Sequence, residues 1–62
     1  MTTVDIHFTL SDAQAWELAE FLKRIGFSDY RSHAAGDESA YLMRDAGEIL
    51  RRALAEHGYA PR

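Results

Sequence analysis

Between residues 3 and 10 the chain alternates: Val4, Ile6, Phe8 and Leu10 are apolar, and Thr3, Asp5, His7 and Thr9 between them are polar. A period of two, with β-branched and aromatic residues on one side, predicts a strand with one buried face. The period changes at Ser11. With Gln14 three residues on, Ser11 makes a capping box, and Asp12 suits the positive end of a helix dipole. Ala15, Leu18, Ala19, Leu22 and Ile25 then share a helical face, with Phe21 at its edge and Glu17, Glu20 and Arg24 opposite, so a helix is predicted over about 12–25. Gly26 is expected to end it as a C-cap, with Phe27 folding back on Leu22. Trp16 is the misfit, projecting roughly 60° beyond the apolar stripe.

Ser28 is placed to cap a short helical turn through "DYRSHAA" that Gly36 would end, and a plain loop fits the same stretch. Asp37 is expected to cap a long helix over about 38–57, whose buried stripe would hold Leu42, Met43, Ala46, Ile49, Leu50, Ala53 and Leu54. Gly58 ends that pattern, with Tyr59 able to close on Leu54. Arg44 with Glu48, and Glu48 with Arg52, are spaced as i,i+4 pairs on its polar face. No linker, repeat or low-complexity tract interrupts the chain.

The fold class expected is therefore α+β and mostly helical: one β-α-α domain over residues 1–62, with a possible short helix between the two main ones. A lone strand leaves a row of backbone groups unpaired, and "FSDYRSH" lacks the alternation to pair with it. At 62 residues with no cysteine, the chain is near the size where a single core needs help that a disulfide cannot supply. Both points lead to a homodimer in which Val4, Ile6, Phe8 and Leu10 form a dimer strand across a two-fold axis.

This order, a lone strand running through "LSDAQ" into a helix that stops at "RIGFS" and a second helix like "SAYLMRDAGEILRRAL", resembles ribbon-helix-helix proteins, the dimeric MetJ and Arc class of DNA-binding regulators. The resemblance implies DNA reading by Thr3, Asp5, His7 and Thr9, with Ser28 near phosphate. The charge disagrees. Residues 1–22 hold Asp5, Asp12, Glu17 and Glu20 and no Lys or Arg, and all seven basic residues lie in 23–62 against six acids. DNA contacts rest on basic side chains, so nucleic acid is the disfavoured partner.

The three His are scattered, none in HxxxH spacing, and Ser32 beside His33 is not an arrangement for nucleophilic catalysis. No catalytic, metal or cofactor site is expected, and the chain reads as a non-enzyme. Trp16 and Tyr41 both project from their helices' apolar stripes, so each either packs on the other subunit or the 28–36 segment, or anchors an interface. The candidate partner-binding residues are Asp5, His7, Trp16, Glu20, Tyr41 and Arg44. The function these features imply is an acidic, cytoplasmic homodimer that binds another protein, its acidic N-terminal third imitating or competing with an anionic ligand. The alternatives are a ribbon-helix-helix repressor and a small antitoxin-type inhibitor that folds on its target. No stretch resembles a signal peptide or a membrane span.

Overall fold

The computed structural model describes residues 2–62, and three helices account for their regular structure: α1 (Asp12–Arg24), α2 (Phe27–Ser32) and α3 (Asp37–Glu56). The start of α1 follows from local chemistry. Ser11 is extended (φ −70°, ψ 162°), its hydroxyl accepts the Gln14 N–H at 3.0 Å, and the Gln14 side chain accepts the Ser11 N–H at 2.9 Å. Two of the helix's orphan donors are thereby satisfied.

The predicted strand is not formed. Among the described residues there is no strand or ladder, and residues 2–10 lead into α1 as an irregular arm. The alternation is real, but a strand is stabilised by its partner. The only internal candidate, "FSDYRSH", folds as α2 and its cap, so Val4, Ile6 and Phe8 stay exposed and only Leu10 packs against the core. The architecture is all-helical, and the α+β assignment with its dimer strand is corrected accordingly.

The end of α1 also differs. Gly26 has φ −105°, not the left-handed conformation of a C-cap glycine, and the chain turns straight into α2 with Gly26 as its N-cap. The Asp29 carboxylate accepts the Gly26 N–H at 2.9 Å, a partner that a Schellman closure would otherwise have had to provide. The 28–36 segment thus begins as helix one residue before Ser28, and Phe27 turns to the Tyr41 ring instead of Leu22, with centroids 4.8 Å apart. Asp37, expected as a cap, is the first residue of α3; its carboxylate instead accepts a hydrogen bond from Arg31 Nε at 2.7 Å.

The end of α3 follows the expected motif. Gly58 is left-handed (φ +96°), its N–H donates to Ala55 O at 3.0 Å, and the Tyr59 N–H donates to Leu54 O at 2.9 Å. These are the two bonds of a Schellman closure, and Tyr59 packs against the cluster that includes Leu54, the hydrophobic contact that goes with it.

The core combines alanines with leucines. Ala15, Ala19 and Leu22 of α1 meet Leu54 of α3, with Leu10, Leu18, Leu50 and Tyr59 packed around them, and Ala40 is fully buried further along α3. Both shorter helices pack on α3, along the side that carries Ala40, Gly47 and Leu54, where small residues let helix backbones approach. The Tyr30 ring of α2 lies over Gly47 so closely that a Cβ there would overlap the Tyr30 hydroxyl.

That packing splits the stripe predicted for α3. Leu54 is buried and Leu50 half-buried, while Leu42, Met43, Ala46, Ile49 and Ala53 are exposed. The Cα atoms span 34 × 28 × 15 Å, a slab too thin to cover a helix on both sides when packed helices are about 8–10 Å apart.

Candidate interaction surface

Three features carry the exposed chemistry of this slab. The first is the arm. Val4, Ile6 and Phe8 are 78%, 71% and 59% exposed, and Asp5 and His7 between them are exposed too. Phe8 and Leu10 line a half-open cleft of about 230 Å³ with Leu50, Leu54, His57 and Tyr59. The cleft is smaller than the roughly 300 Å³ at which small-molecule pockets begin.

The second is a pair of aromatic clusters at separate places. Trp16 meets the Tyr59 ring edge-on, with centroids 5.1 Å apart. The Tyr59 hydroxyl donates to the Asp12 carboxylate at 2.8 Å, so the segment after α3 is latched to the first turn of α1. That hydrogen bond, with desolvation and the nearby negative charge adding to it, holds the Tyr59 hydroxyl above its ordinary pKa of 10.0. Tyr41 lies between Phe27 and Arg44, whose guanidinium carbon is 4.9 Å from the ring centroid. Both aromatics are therefore partly packed and partly exposed, and each sits in a cluster of its own.

The third feature is the outer face of α3. Leu42 and Ile49 are 66% and 65% exposed, and Ala46 and Ala53 are exposed beside them. The 4-3-4 spacing of residues 42, 46, 49 and 53 runs along one side of the helix for about 16 Å. Asp45 and Arg52 flank this line on its solvent side.

The charged candidates serve local contacts. Arg24 approaches Glu20 to 3.1 Å without hydrogen-bond geometry, leaving that oxygen buried and otherwise unpartnered. The expected i,i+4 pairs on α3 do not form. Arg44 meets Asp45 at 3.1 Å and Arg51 meets Glu48 at 4.0 Å, and Arg52 has no ion pair among the described residues. Exposed pairs of this kind contribute little, and stacking over Tyr41 is enough to redirect Arg44.

The histidines are held apart: His7 in the arm, His33 at the end of α2, and His57 at the end of α3, where its Nδ1 lies 2.9 Å from Ala53 O. Among the described residues no three His, Asp or Glu side chains converge as a metal site would require. A more open groove of about 370 Å³ is lined by Phe21, Arg24, Ile25, Asp29 and His33.

Of the candidate residues, the structure groups Tyr41 with Arg44, and Asp5 with His7, and leaves Trp16 and Glu20 elsewhere. It adds the Asp12–Tyr59 latch and the outer line of α3. The latch joins residues 47 apart and has no local signal. The outer line did have one: the seven apolar residues of α3 cover an arc of roughly 140°, wider than the single stripe that a helix on one neighbour buries.

The chain belongs to DUF7706, a family of unknown function whose model matches residues 1–62. No curated protein and no solved structure matches it significantly. Among the described residues no helix is long and apolar enough to cross a membrane.

Proposed function

We propose that this member of DUF7706 is a non-enzymatic homodimeric interaction module that acts by binding another protein. The observation that carries the reading is where the large apolar side chains lie. Of the six large apolar side chains that are more than half exposed among the described residues, Val4, Ile6 and Phe8 lie on the arm and Leu42 and Ile49 on one face of α3, with Phe21 of α1 the sixth; scattered surface apolar residues need no explanation, whereas such groups do. The arm also keeps a free backbone and Asp5 and His7 for specificity, the features of a segment that orders on its partner. The arm carries Asp5 and no Lys or Arg, which opposes contact with phosphate.

The test pairs two measurements. Sedimentation equilibrium is expected to show self-association. A tagged chain is expected to co-purify a protein that is lost when Val4, Ile6 and Phe8 are all changed to Ser, with the helical circular dichroism unchanged. A monomer at all concentrations, or identical capture by both forms, refutes the reading. So does nanomolar binding to duplex DNA at about 0.15 M salt, where phosphate contacts are already weakened.

A further inference from the structure

The geometry points to the outer face of α3 as the dimer face, packed antiparallel against the same face of a second copy through Leu42, Ala46, Ile49 and Ala53. This rests on the homodimer reading and adds its surface and orientation. A two-fold interface is self-complementary, so residue i meets j and j meets i. With the axis between residues 47 and 48, Leu42 meets Ala53 of the second copy and Ala46 meets Ile49. Each of the four layers then combines one large and one small side chain, which gives the helices an even separation. A parallel arrangement would stack Leu on Leu and Ile on Ile between layers of Ala on Ala, alternately too wide and too narrow.

Charge selects the same orientation. Asp45 and Arg52 flank the line on one side, and in the antiparallel pair Asp45 of each copy lies near Arg52 of the other, twice per dimer. Arg52 has no ion pair within its own chain among the described residues, and Asp45 is held only by its exposed neighbour Arg44. Glu38 and Glu56, at the two ends of the line, meet a like charge in either orientation and do not discriminate. They also confine the contact to about three helical turns, an interface in the size range of weak, reversible association.

The chain has no cysteine, so introduced thiols report on the contact without interference. Leu42→Cys and Ala53→Cys proteins, each helical by circular dichroism, are oxidised separately and as a mixture. The expected result is a disulfide dimer that forms much faster in the mixture than in either alone. Asp45→Arg and Arg52→Asp are each expected to weaken self-association several-fold in sedimentation equilibrium, and the double reversal to restore it.

If each thiol variant cross-links fastest to itself, the antiparallel orientation is wrong. If none cross-links and the charge variants associate like wild type while the wild type is a dimer, the face is wrong and the homodimer stands. A wild-type monomer up to roughly 1 mM removes the homodimer itself.

Discussion

Gly47→Ala sets two effects of known sign against each other. A glycine inside a helix costs about 1 kcal/mol relative to alanine, so on propensity alone the substitution stabilises α3. The structure opposes this. The new methyl would overlap the Tyr30 hydroxyl and lie 3.1 Å from its ring carbon Cζ, so Tyr30 must leave its place between α2 and α3. Forcing an extra methyl into a packed contact costs about 1–3 kcal/mol. With about 2 kcal/mol for that term, Gly47→Ala is expected to destabilise by about 1 kcal/mol, a fall of roughly 4–8 °C in melting temperature for a domain of this size.

In a Tyr30→Ala background the obstruction is gone. The same Gly47→Ala change is then expected to stabilise by about 1 kcal/mol, a coupling of about 2 kcal/mol between the two sites. The assay is urea unfolding of the four proteins followed by helical circular dichroism, at one protein concentration because the proposed self-association would make stability concentration-dependent. If Gly47→Ala stabilises both backgrounds equally, Tyr30 moves aside freely and the close α2–α3 packing is refuted.

Three further outcomes follow from the structure. Gly58→Ala is expected to cost about 1 kcal/mol in thermal unfolding, because φ +96° is strained for alanine while open space surrounds the site; no change would mean that the α3 closure is not fixed. Trp16→Ala and Tyr41→Ala are each expected to cost about 1–2 kcal/mol, since Trp16 meets Tyr59 edge-on, Tyr41 lies between Phe27 and Arg44, and the two are still 40% and 48% exposed; a loss of 3 kcal/mol or more for either would mean that its exposed part is covered in the folded protein. The Asp12–Tyr59 latch holds the neutral phenol, so its contribution is present below the ordinary tyrosine pKa of 10.0 and is lost as pH rises through the raised folded value. Trp16 fluorescence, quenched by the adjacent tyrosinate, is expected to change at lower pH in Asp12→Asn than in wild type, and identical titrations would show that the latch is open in solution.

What was legible in the sequence is what neighbouring residues settle among themselves. Ser11 and Gln14 satisfy each other's backbone across a single turn, and Gly58 with Tyr59 closes α3 by bonds to residues three and five positions back. Both motifs stand as read. The arm was misread because alternation describes a strand's faces and says nothing of its ladder partner, and "FSDYRSH" spent its backbone groups on α2. Gly26 was misread because Asp29, three residues on, offered its N–H a different acceptor. In each case a competing partner outside the local pattern decided the outcome.

The width of the α3 stripe carries the most weight for function. A helix in a slab of 15 Å has neighbours on one side only, and here that side is the one with Ala40, Gly47 and Leu54. The small residues among them, Ala40 and Gly47, let helices approach closely but bury little area, which a chain of 62 residues can least spare. Leu42 and Ile49 on α3 and Val4, Ile6 and Phe8 on the arm lie outside that contact, while Leu50 and Leu54 lie within it. An arrangement that maximised burial in the isolated chain would place Leu42 and Ile49 on the inner side, where Ala40 and Gly47 now stand beside Leu50 and Leu54. The observed arrangement leaves the isolated chain short of apolar burial that a second surface would supply, which is why the outer face of α3 and the arm are the places where the proposed binding is to be tested.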